Sequence, residues 1–139
     1  MGMFTWNEGY TLGVSIIDSE NKKLFSIAEQ LNESVAHGDN TRTQKGLLTN
    51  FINTLITHFE HEEGLMHHYQ YPDIEDHVDQ HRAFAAQMTK MNARLEAGAI
   101  SLPLESLQTV RNWFDRHIRK YDQLLVRHIK TNDTIGLRA

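Results

Sequence analysis

Nine histidines stand among 139 residues, and several lie about one helical turn from another side chain that can hold a metal. His58 and Glu62 are four residues apart, as are His77 and His81, while His117 and Asp122 are five apart. On a helix, residues i and i+4 project from the same side, one above the other. Imidazole suits iron, zinc and copper, and carboxylates can bridge two metals. Four imidazoles and two carboxylates meeting inside a helical bundle would form a dinuclear site. Iron is the preferred occupant, because bridging carboxylates and terminal imidazoles suit both its ferrous and ferric forms. Cobalt, zinc and manganese are the alternatives.

Each pair has a plainer reading when taken alone. His58 and Glu62 could be a solvated helix pair, and a lone His117 a hydrogen-bonded core residue. The three placements coincide on successive helices, beside Phe59, Trp113, Phe114 and Ile118. Burying that many ionisable groups with neither metal nor partner would be costly. The other histidines carry less. His37 sits at a helix end, where it can meet terminal carbonyls. His61, His67, His68 and His128 read as exposed or capping, with His61 held open because it lies one turn from His58. The Glu60, Glu62, Glu63 group otherwise reads as a charged face, and Met88 and Met91 as core.

The elements that must position these residues are legible from apolar spacing. Residues 1–17, with Trp6, Tyr10, Gly13 and Val14, read as an extended arm. Asp18 and Ser19 are candidate caps for a first helix over about 19–37, carrying Leu24, Ile27, Ala28, Leu31 and Val35 at helical spacing. Thr41 followed by Gln44 matches a capping box for a second helix over about 42–66. Tyr71-Pro72-Asp73 breaks the pattern and offers Asp73 as the next cap. A third helix spans about 74–97 and ends at Gly98. Pro103 opens a fourth, to about residue 130, where its missing N–H costs nothing. Four such helices with short connections predict an all-α, antiparallel, up-down-up-down four-helix bundle in a single domain over 1–139.

Composition narrows the function classes. The chain has no cysteine, which excludes disulfides, thiolate metal sites and thiol nucleophiles. The formal charge of −4 argues against nucleic acid or anionic membranes as partners. No apolar run approaches the roughly 20 residues of a membrane span. No signal-peptide pattern is present. A cytoplasmic protein is the expectation, monomeric or oligomeric.

The segments HFEHEE at 58–63, HVDQH at 77–81 and WFDRHIRKYD at 113–122, with the arm Trp6…Gly13-Val14…Ile17-Asp18, together resemble the bacterial hemerythrins over essentially the whole chain. The resemblance implies a pair of irons joined by an oxo or hydroxo bridge and able to bind O2. It implies His77, His81 and His117 as terminal ligands of one iron, Glu62 and Asp122 as bridges, and His58 on the second iron. Leu24, Phe59, Trp113 and Ile118 match positions lining that family's O2 pocket. One departure stands out. The family's first-helix motif supplies a histidine where this chain has Asn21. An open or water-filled position, weak ligation by Asn21, recruitment of Glu20 or His61, or partial loss of the second iron would each answer it.

The leading expectation is therefore a non-enzymatic protein for O2 storage, transport or sensing. The first alternative is a diiron enzyme whose opened position admits peroxide, nitric oxide or small anions. The second is a mononuclear or metal-depleted binding module.

Overall fold

The computed structural model describes residues 2–99 and 101–132. Its helices are α1 (Ser15–Ala36), α2 (Thr41–His68), α3 (Ile74–Glu96), α4 (Leu104–Arg116) and α5 (Gln123–Asn132). A π-helical segment, His117–Asp122, joins α4 to α5, so the three form one continuous rod. Four rods with short connections pack as an all-α bundle, α1 against α2 and α2 against α3. No helix among the described residues is long and apolar enough to cross a membrane.

The apolar spacing sets which faces turn inward. Leu24, Ala28 and Leu31 of α1 meet Leu48, Phe51 and Leu55 of α2, Phe84, Met88 and Leu95 of α3, and Leu107, Val110 and Phe114 of α4 in one core cluster. A second cluster around Ile17, Met66, Leu125 and Ile129 closes the other end. Ile56, Leu104 and Leu124 share the helical spacing but lie on the solvent side.

Local chemistry ends the helices. Gly38 and Gly98 take positive φ of 70° and 103° just past α1 and α3. In each case the following N–H reaches back to a carbonyl five residues earlier, Asp39 to Ser34 and Ala99 to Arg94. Glycine reaches this left-handed conformation without a Cβ penalty. Gln70 makes the same turn after α2 at φ 51°.

Several expected boundaries move. The N-terminal arm is not extended throughout: Glu8–Tyr10 form a 3-10 turn, and α1 begins at Ser15 with Val14 before it. Asp18 therefore does not cap α1. Its carboxylate accepts the N–H groups of Leu12 (2.9 Å) and Gly13 (3.0 Å), fastening the arm to the helix. Tyr10 Oη donates to Asp115 Oδ1 (2.8 Å), and Lys130 Nζ to the Leu12 carbonyl (2.6 Å). The cap of α2 is Asn40, whose side chain accepts from the Thr43 N–H, rather than Thr41. Gln44 reaches across to the loop before α4, accepting the Leu102 N–H and bonding Ser101. Asp73 precedes α3 without a side-chain capping bond. The last rod continues to Asn132. The remainder of the tail expected after Lys130 lies outside the described residues.

Candidate metal centre

Helix register brings all six expected ligands to one place. α2 contributes His58 and Glu62, α3 His77 and His81, and the π segment begins at His117 and ends at Asp122. Each is at most 2% exposed. A π turn bonds i to i+5, and such turns recur at functional sites. Here it converts the five-residue separation of His117 and Asp122 into a facing pair, with His117 Nε2 3.1 Å from Asp122 Oδ1.

Glu62 lies at the middle of the cluster. Its Oε1 stands 3.0 Å from His81 Nε2, 3.2 Å from His77 Nε2 and 3.8 Å from His117 Nε2. Its Oε2 is 3.3 Å from His58 Nε2. Asp122 Oδ1 lies 3.3 Å from His77 Nε2. Two overlapping groups result, Glu62-His77-His81-His117 and His58-Glu62-Asp122. In each, all the donor atoms lie within 4.8 Å of one another.

These atoms satisfy one another only in part: Glu62 Oε1 bonds His77 Nε2 and His81 Nε2. Glu62 Oε2, Asp122 Oδ1 and His117 Nε2 are buried and lack a hydrogen bond of proper geometry. Buried polar atoms are ordinarily bonded, so such a set fits a shared cation better than a polar network closed on itself. The donor types, imidazole and carboxylate, fit iron.

Protonation supports the same reading. Burial disfavours charge on His58, but the adjacent Glu62 carboxylate and the bond to Glu20 outweigh it, and its pKa is pushed up to about 10. Burial likewise opposes the charged form of His77, yet Asp122 and Glu62 raise it to about 9. His117 is raised against its burial by Asp122 and Glu62. Burial pushes Glu62 up, but the His58 charge and the close approach of His117, His58 and His77 hold it well below the usual carboxylate range. The metal-free cluster thus keeps protons where cations would sit, and a metal must displace them.

The outward nitrogens reveal Glu63, which spacing did not flag, and place Glu20 behind an imidazole. His58 Nδ1 donates to Glu20 Oε1 (2.8 Å), and His81 Nδ1 to Glu63 Oε2 (2.9 Å). A carboxylate behind a ligating imidazole fixes its tautomer and its aim. Glu63 had read as part of a charged face. One signal was available: it follows Glu62 directly, at the edge of the inward stripe of α2. Glu20 spans His58 and His61 from outside, and His61 is half exposed. His37, His67 and His68 lie at the surface. His128 Nε2 donates to the Tyr69 carbonyl at 2.7 Å, tying α5 to the end of α2.

Asn21 does sit at the cluster. It is buried, and its Nδ2 donates a long bond of 3.4 Å to Asp122 Oδ2, while its Oδ1 has no hydrogen-bond partner. Aromatic side chains wall the imidazoles: Phe59 stacks on His81 at 3.8 Å and Trp113 on His117 at 4.3 Å. Leu24 and Ile118 are fully buried in the adjoining core.

Fold and cluster together define a helical bundle with an interior metal-binding centre. The model of the hemerythrin HHE cation-binding domain matches residues 12–129, and the chain belongs to that family. A bacteriohemerythrin of Methylococcus capsulatus is 26% identical over 125 residues, covering 89% of this chain and 95% of that protein. One of Stenotrophomonas maltophilia is 25% identical over 134 residues, covering 95% and 85%. A crystal structure of wild-type hemerythrin superposes with a TM-score of 0.84 at 25% identity, covering 90% of this chain and 96% of the other. A leucine-to-alanine variant of hemerythrin superposes with a TM-score of 0.86, also at 25% identity, covering 92% and 98%.

Proposed function

We propose that this chain is a non-heme diiron protein that binds O2 reversibly. The observation that carries the reading is the convergence of six buried imidazole and carboxylate side chains on two adjoining points that share Glu62. His77, His81 and His117 would hold one iron, His58 the other, and Glu62 and Asp122 would contribute to both. When bound, the iron pair supplies the electrons that hold O2.

The protein's own residues would do the rest. Glu20 and Glu63 keep Nδ1 of His58 and His81 protonated, so that Nε2 faces inward. Leu24, Phe59, Trp113 and Ile118 form the apolar lining that keeps water and stray protons from the bound gas. Exclusion of water from such a site suppresses side reactions. Membership in the hemerythrin family supports this assignment over a structural metal site.

The test is anaerobic loading with Fe2+, mixing with O2, then purging with argon. A visible absorption band that appears with O2 and disappears under argon is the expected result. Immediate, irreversible conversion to the diferric form would overturn reversible binding. That outcome would favour the second reading, an enzyme acting on peroxide or nitric oxide. The second set, His58, Glu62 and Asp122, holds a single imidazole, which favours this alternative.

A further inference from the structure

The donor atoms of the cluster divide into two unequal sets. Glu62, His77, His81 and His117 offer three imidazoles and one carboxylate. His58, Glu62 and Asp122 offer one imidazole and two carboxylates, and the Asn21 amide lies against Asp122. Imidazole favours iron, zinc and copper, whereas carboxylate and carbonyl oxygens favour manganese, magnesium and calcium. The two halves therefore present different chemistry within one buried space.

Asn21 sharpens the difference. The amide is buried, one end bonds Asp122 Oδ2, and the other end, Oδ1, has no hydrogen-bond partner. A carbonyl oxygen held there is a hard, neutral donor that adds no charge to offset a second cation. Because the sets share Glu62, the first ion to bind also claims part of the charge that the second would use, and the two cations repel.

We propose that the centre is two chemically distinct sites that fill in sequence. The imidazole-rich site takes the first divalent ion. The oxygen-rich site takes the second more weakly, with Asn21 Oδ1 as its neutral donor, and it accepts Mn2+. The inference rests on the reading of the cluster as a two-metal centre. It adds an order of filling, a metal preference for each site and a role for Asn21.

The experiment titrates the metal-free full chain with Co2+ by calorimetry, then adds Mn2+ to protein holding one Co2+ per chain and follows free Mn2+ by electron paramagnetic resonance. Two Co2+ steps about tenfold or more apart in Kd are expected, a difference of at least about 1.4 kcal/mol between the sites. One Mn2+ per chain should then lose its free-ion signal while the Co2+ stays bound. Asn21→His should draw the two steps together. Asn21→Leu keeps a similar volume without a donor; it should weaken the second step and leave the first, with circular dichroism verifying the fold. Two equal steps in the native chain, Mn2+ displacing Co2+, or an unchanged second step in Asn21→Leu would each overturn the inference. Those outcomes leave the two-metal reading standing, whereas saturation at one ion or none would sink both.

Discussion

The aromatic cluster around Phe114 and the polar cluster around Glu62 are equally buried, yet they meet burial by opposite routes. Phe114 packs edge-on against Phe25, Phe51 and Phe84 at centroid distances of 5.8, 6.0 and 5.5 Å. Glu62, one helical turn beyond Phe59, gathers four imidazoles and leaves several of their atoms without a proper hydrogen bond. The first region is finished by folding alone. The second is finished only by protons or by metal. The bundle's stability and its function are thus separable, though they occupy the same interior.

The largest expected effect tests that separation from the apolar side. Phe114→Ala removes a ring from the centre of the core and should cost about 3–5 kcal/mol, the range for such truncations. Urea unfolding should show the same loss with and without metal. A variant that folds but binds no metal would break the separation, because it would mean that the apolar core also sets the ligand geometry. From the polar side, saturating metal should stabilise the native chain by about 4 kcal/mol at a free concentration a thousand times Kd. Glu62→Ala should abolish that gain. A thermal shift with added metal that persists in Glu62→Ala would show binding elsewhere.

A third expectation concerns pH, to which the polar cluster responds and the aromatic one does not. His58 and His77 have folded pKa values of about 10 and about 9, above the ordinary imidazole value of 6.5. A group raised in this way favours the folded state when protonated. Its contribution is complete below the unfolded pKa and lost as pH rises through the folded one. Metal-free protein should therefore lose about 1.4 kcal/mol per pH unit for each such imidazole between the unfolded and folded values. Glu62 has the opposite sign, since its depressed pKa makes acid destabilising as pH falls below the ordinary carboxylate range. Metal-loaded protein should lack the alkaline slope, because the ion has already displaced those protons. Phe114→Ala should leave the slope unchanged.

The same contrast explains what could be read from the chain beforehand. The bundle was legible because Leu24, Leu31, Leu48, Phe51 and Leu55 recur at helical spacing, and burial of an apolar stripe leaves little choice of fold. The pairing of the cluster's side chains was legible because i, i+4 spacing translates directly into a shared face. The closeness of His117 to Asp122 was not, since a π turn is a local departure from the regular period with no composition signal of its own. Capping chemistry was misplaced by one residue at Asn40 and Thr41, because both are good caps and only the backbone decides between them. The bond of Glu63 to His81, and the place of Glu20 behind His58, were hidden for a further reason. Each carboxylate is partly exposed, so each reads as surface, and its partner lies on a different helix.

Glu63 supplies the smallest and most selective way to probe the comparison. Its carboxylate is 32% exposed and bonds the Nδ1 of His81, whose Nε2 lies 3.0 Å from Glu62. Glu63→Gln preserves shape and can still accept that bond, but it removes the charge that makes His81 a stronger donor to metal. Partly exposed substitutions of this kind change stability by about 0.5 kcal/mol or less, so the unfolding midpoint of the metal-free protein should hardly move. Metal affinity should fall by about tenfold, the lower end of the range for changes behind a ligating imidazole. Calorimetric titration with Co2+ reads the loss, which should fall on the first step, where His81 belongs, and spare the second. An equal loss on both steps would mean that Glu63 acts through the general field of the cluster rather than through His81. No loss at all would mean that the 2.9 Å bond aims an imidazole that does not ligate.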